Sequence, residues 1–105
     1  PVAVEHTPRP QGHGYVSATV HRMNPFFPIG TRLRGHEFHY SRVTGPLQGE
    51  TALAIDRGVG LGNGCDGLMS GRVVATWTHL HALGTEAWAP ALVQAALHGA
   101  WRRTA

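Results

Sequence analysis

At 105 residues the chain holds one domain at most, with a modest core. A hydrophobic fraction of 42% with 14% charged residues describes a folded globular protein, and no apolar run approaches the roughly 18 residues of a membrane span, so a soluble domain is expected. The net charge of +3 comes from arginine alone, and without a lysine the chain can complete neither a phosphate-binding P-loop nor a Schiff base by itself.

The arginines are scattered, Arg102 and Arg103 being the only adjacent pair, so a basic stripe for nucleic acid is not expected. A single cysteine, Cys65, excludes an internal disulfide framework and fits a reducing compartment, with cytoplasm as the expected location. Pro1 stands where an initiator methionine would, and no basic segment followed by an apolar stretch resembles a signal peptide; a fragment boundary is expected there.

In chain order, residues 1 to 14 (PVAVEHTPRPQGHG) are rich in proline and glycine and read as an extended lead-in or loop. Residues 15 to 22 alternate as a strand, with Tyr15, Ser17 and Thr19 on one face and Val16, Ala18 and Val20 on the other. NPFFPIG, residues 24 to 30, suits a turn whose phenylalanines plug the edge of a core.

TRLRGHEFHYSRV follows as a strand, placing His36, Phe38 and Tyr40 on one side and Glu37, His39 and Ser41 on the other. TGPLQG is a turn and ETALAI a short strand. The glycine-rich RGVGLGNGCDG is expected to be a loop or hairpin tip, and SGRVVATWTH a strand covered on both faces that ends at THLH, residues 78 to 81.

Gly84 offers a turn and Thr85 an N-cap for a helix from Glu86 onward, along which Trp88, Leu92 and Ala95, with Val93, Leu97 and Trp101, recur at helical spacing. Arg102 and Arg103 sit where the helix dipole favours cations.

Eight histidines invite a metal reading. The zincin pattern H-E-x-x-H works because a helix sets two histidines one turn apart on one face. Here the spacing is H-E-x-H on a strand, which sends His36 and His39 to opposite faces. His79 and His81, two apart, share a face, so a pair with a distant third ligand stays open. NGCDG around Cys65 resembles a G-x-C-x-G nucleophile elbow only superficially: Asn63 replaces the first glycine, and the chain continues into a strand rather than a helix. His6, His13, His21 and His98 have no context beyond solvated or local hydrogen-bonding roles, and Trp77, Trp88 and Trp101 read as packing residues.

NPFFPIGTRLRGHEFHYSRV, followed by DGLMSGRVVATWTHLH, resembles the C-terminal part of the cobyrinate a,c-diamide synthase family. Its members are class I (triad-type) glutamine amidotransferases of cobalamin biosynthesis. The resemblance runs from about Tyr15 to the end and implies an α/β fold. Residues 15 to 105 would be the C-terminal half of a flavodoxin-like glutaminase domain, several strands plus a C-terminal helix, without the nucleophile elbow and without the ATP-binding synthetase domain.

It also implies the chemistry. In such enzymes a thiol attacks the glutamine side-chain amide, a histidine assists, and the ammonia amidates activated side-chain carboxylates a and c of cobyrinate or a related tetrapyrrole. The family's catalytic histidine falls on His79, and His81 stands where many class I enzymes carry the glutamate that orients it. Glu37 and His39 become supporting residues that hold neighbouring loops, and His36, Tyr40 and Ser41 candidate substrate-side contacts.

No metal or cofactor is implied for this segment, and Mg-ATP is expected for the full-length enzyme. Its partners would be glutamine, the tetrapyrrole carboxylate and the upstream remainder of the same enzyme, and the segment alone is expected to be inactive. Two other readings stay open. One is a stand-alone histidine-rich module binding metal through His36, His39, His79 and His81; the other is a non-catalytic partner subunit completing a glutaminase.

Overall fold

The computed structural model describes residues 2–104, and the side chains of residues 2–99. Expectations for the side chains of Trp101, Arg102 and Arg103 lie outside the described residues. In chain order the elements are β1 (Ala3–His6), β2 (Gly12–Val20), β3 (Arg32–His39), β4 (Ser41–Thr44), β5 (Thr51–Arg57), β6 (Cys65–Ser70), β7 (Val73–Ala75), β8 (His79–Leu80) and α1 (Trp88–Thr104). This is the expected α/β composition, several strands closed by a C-terminal helix. β1 and β4 form a two-stranded sheet, and the rest form one of six in the order β7-β6-β5-β2-β3-β8.

The six-stranded sheet has to curl. Five inter-strand spacings of a flat sheet would put its edge strands about 24 Å apart. Only Thr76, Trp77 and Thr78 separate β7 at one edge from β8 at the other, a link that reaches about 14 Å when fully extended. The sheet therefore rolls inward, and its concave face carries the core.

That core follows from alternation. Val16, Ala18 and Val20 of β2 are all at most 2% exposed and share the inner face with Leu33 of β3 and Leu53 of β5, and Ala52, next to Leu53, is equally buried. Phe27, Ile55, Met69 and Leu80 pack at its margin, so the NPFFPIG turn does plug the core as expected. Its shape is set by Asn24, whose Oδ1 accepts the amides of Phe26 (3.0 Å) and Phe27 (2.8 Å). Burying each Leu33- or Val-sized side chain contributes about 1.5–3 kcal/mol.

Four expectations need correction. The single strand over residues 31 to 43 breaks at Tyr40: His39 Nδ1 bonds the Ser41 carbonyl at 2.9 Å, and the chain bends so that β4 leaves the large sheet to pair with β1. Tyr40 hands its own carbonyl to the amide of Thr7 at 2.8 Å, outside both ladders. The stretch from Ser70 to His79 is not one doubly covered strand. Gly71, at φ 56°, allows a two-residue turn that folds it into the β6–β7 hairpin, and Val73 is left 60% exposed on an edge.

The glycine-rich segment is a hairpin tip only as far as Gly64, since Cys65, Asp66 and Gly67 already belong to β6. Finally, the helix starts at Trp88, not Glu86, and the Thr85 hydroxyl does not cap it. That hydroxyl instead donates to the Arg34 carbonyl at 2.8 Å and accepts the Arg34 amide at 3.1 Å, completing the β3 edge beyond the short β8. Ala91, Ala95 and Gly99 are buried helix positions, whereas Leu92, Val93 and Leu97 are exposed.

Candidate active site

Every strand pairing is antiparallel, so His79 does not sit at the carboxyl edge of a parallel sheet; it opens β8, against the middle of β3. What positions it is a small glycine. A Cβ on Gly35 would run into the His79 carbonyl, so only glycine lets β8 close to ladder distance at Gly35↔Leu80 and His36↔His79. The alternation of GHEFHYS then decides which residues can meet.

On the inner face, Glu37 is 3% exposed and His39 7%. Glu37 Oε1 accepts the amide of Val59 at 2.7 Å, and Oε2 accepts the amide of Gly60 and Nε2 of His39, both at 2.9 Å. Burial pushes this carboxyl up, yet the hydrogen bonds from His39, Val59 and Gly60 and the histidine's charge together hold it below its ordinary value. His39 is fixed three ways: Nε2 on Glu37, Nδ1 on the Ser41 carbonyl, and its ring stacked on Trp77 at 4.4 Å between centroids. Both ring nitrogens of His39 thus face an oxygen, one a carboxylate and one a backbone carbonyl. Gly12 of β2 leaves the room, because a Cβ there would strike both Glu37 and His39.

Asp66 is a second buried carboxylate, which sequence reasoning missed. It is 0% exposed and gathers the amides of Gly67 (2.9 Å) and Trp77 (3.2 Å) on Oδ1 and the amide and hydroxyl of Thr78 (2.9 and 2.6 Å) on Oδ2. It thereby clamps the two residues before His79. The sequence signal for it is an acid set among apolar strand residues, D-G-L-M, beside Cys65. That thiol donates to the Gly62 carbonyl at 3.1 Å, a local bond within the hairpin.

The outer face carries the exposed imidazoles. His79 Nδ1 lies 3.2 Å from His36 Nε2, the rings meeting edge to face with centroids 4.8 Å apart. Tyr15 of β2 stands opposite His36 in register, and His13, Phe38 and Tyr40 continue the same surface as an edge-to-face aromatic row. His81 lies just past β8, and its Nδ1 accepts the Leu83 amide at 3.2 Å. Ser41 lies elsewhere, lining an apolar cavity of about 240 Å³ with Trp77, Val2 and Val4.

The structure thus brings His79 and His36 together, and Glu37 and His39 together, on opposite faces of one strand. The four histidines of a metal cage do not converge. Among the described residues no group of three or more histidine, cysteine or carboxylate side chains is placed to hold a metal ion. No helix among them is long and apolar enough to cross a membrane.

Residues 3–87 match the model of the CobB/CobQ-like glutamine amidotransferase domain. Among curated proteins, the chain is 43% identical over 82 residues to cobyrinate a,c-diamide synthase of Methanothermobacter thermautotrophicus, covering 78% of this chain and 18% of that protein. It is 33% identical over 95 residues to the Magnetococcus marinus protein of the same name, covering 90% of this chain and 20% of that one. The Methanosphaera stadtmanae counterpart is 42% identical over 77 residues, 71% of this chain and 17% of its own length. The chain spans about a fifth of the length of these relatives. No solved structure matches it.

Proposed function

The chain belongs to the CobB/CobQ-like glutamine amidotransferase domain family, and from that membership we propose that it is the C-terminal segment of an enzyme of the cobyrinate a,c-diamide synthase type. In this reading His79 is the glutaminase histidine. The observation that carries it is the position of His79: exposed on the outer face, fixed by β-pairing, with Nδ1 engaged by His36 so that Nε2 is the nitrogen offered to a thiol.

A cysteine outside these residues supplies the nucleophile. Its sulfur attacks the glutamine side-chain carbonyl carbon while His79 Nε2 takes the thiol proton. The C–N bond then breaks, His79 returns the proton to the departing ammonia, and water hydrolyses the thioester to glutamate. The ammonia is consumed by an activated side-chain carboxylate of cobyrinate or a related tetrapyrrole, in an ATP-dependent step assigned to the rest of the enzyme together with its Mg-ATP.

Within the segment, Glu37, His39 and Asp66 keep the strands and the 58–64 loop in place behind the histidine. Tyr40 borders the same outer face and is suited to contact substrate, and Ser41 lines a separate cavity.

The test is His79→Ala in the full-length enzyme. Glutamine-driven amidation is expected to be lost while amidation with free ammonia persists. Unchanged glutamine turnover would overturn the assignment.

A further inference from the structure

An imidazole that takes a proton from a thiol needs its other nitrogen held by an acceptor, which fixes the tautomer and steadies the imidazolium that forms. The residue two positions on, His81, does not serve here. Its Nδ1 is bound to the Leu83 amide, and its carbonyl accepts the amides of Gly84 and Thr85, so the residue is tied into the turn before the helix.

Resting on the reading of His79 as the glutaminase histidine, we propose that His36 is its positioning residue, accepting the Nδ1–H of His79 on Nε2. The family resemblance put His36 among candidate substrate-side contacts. The structure puts it directly across the β3–β8 ladder from His79, with the two nitrogens 3.2 Å apart.

Backbone, rather than side-chain flexibility, builds this pair. Gly35 admits β8 to ladder distance, Asp66 clamps Trp77 and Thr78 immediately before His79, and the Thr85 hydroxyl closes the adjoining edge at Arg34. The register is therefore held on three sides of the pair.

Two neutral imidazoles share one hydrogen bond in either direction. With the proton on His79 Nδ1, its Nε2 lone pair is available, and the imidazolium formed on taking the thiol proton still donates to His36. A proton added to His36 reverses the bond: His36 then donates to His79 Nδ1 and the tautomer is wrong for a base. The groups facing the pair are Tyr15 across β2 and Arg34 two positions earlier on the same face of β3, with His13 further along; Asp56, at the other end of β2, is taken up by the Thr19 hydroxyl at 2.8 Å.

The experiment is glutamine hydrolysis by the full-length enzyme across pH, with His36→Leu, His36→Gln and His36→Glu beside His79→Ala. General-base assistance contributes about 10²–10⁴-fold, so His36→Leu is expected to lower kcat about tenfold or more at unchanged KM, with ammonia-driven amidation kept. Gln, a neutral acceptor, restores much of kcat. Glu restores it with the acid limb moved to higher pH, since a carboxylate favours the imidazolium.

Unchanged kcat in His36→Leu, or one common acid limb in the wild type, Gln and Glu proteins, would overturn the inference. If His36→Leu loses ammonia-driven amidation as well, the acid limbs of the Gln and Glu variants decide. His79→Ala that still hydrolyses glutamine would sink the underlying reading instead, whereas an inactive His79→Ala beside an intact His36→Leu would sink only this inference.

Discussion

Glu37 is a charge with almost no access to water, kept ionised by donors from Val59, Gly60 and His39 converging on its two oxygens. Glu37→Ala strands those donors in the interior and is expected to cost about 2–4 kcal/mol, read as faster hydrogen exchange at the Val59 and Gly60 amides. The pH dependence has a definite sign. A carboxyl held below its ordinary value of 4.5 in the folded state contributes stability that is fully present above that pH. The contribution is lost as pH falls from 4.5 through the lower folded value, and Glu37→Gln should flatten that acid limb of the stability curve. Period-two alternation in the sequence put Glu37 and His39 on one face. The loop partners of Glu37 were not legible there, since Val59 and Gly60 come from a glycine-rich loop whose backbone donors have no sequence signature.

The same division holds for whole elements. Alternation marked β2 and β3, whose burial recurs at every second residue, although β2 begins at Gly12 rather than Tyr15 and β3 ends at His39; β5 does not alternate, since the adjacent Ala52 and Leu53 are both buried. It failed over residues 70 to 79, where a run of apolar residues passes for a doubly covered strand. What interrupts that run is a left-handed Gly71 and the long-range grip of Asp66 on Thr78. Nor did helical spacing show which side of α1 is covered: the buried positions are the small Ala91, Ala95 and Gly99, and Arg72 of the β6–β7 turn donates to the Ala95 carbonyl at 3.2 Å. Asp66→Asn tests the element-level link. An amide nitrogen at either Oδ position faces donors, so the clamp loosens; hydrogen exchange at Trp77 and Thr78 should accelerate about tenfold or more, while β2 amides change little. Equal acceleration throughout the sheet would mean that Asp66 supports the fold generally rather than the approach to His79.

At the scale of the molecule, the short β7–β8 link curls the sheet, and the curl gives its two faces different work. The concave face holds the core and the two buried carboxylates; the convex face carries His79, His36, Tyr15 and the aromatic row. On the function proposed above, this outward-facing histidine would meet a nucleophile carried elsewhere in the enzyme, while Cys65 stays a hairpin residue bonded to Gly62. GHEFHYS and THLH carried the family resemblance in the sequence, and their juxtaposition across β3 and β8 is what tertiary structure adds. The most direct measurement of the central claim is glutamate release from glutamine by the full-length enzyme, comparing Cys65→Ser with His79→Ala. Near wild-type release is expected from Cys65→Ser and almost none from His79→Ala; release lost with Cys65 or retained without His79 would overturn the role proposed for His79.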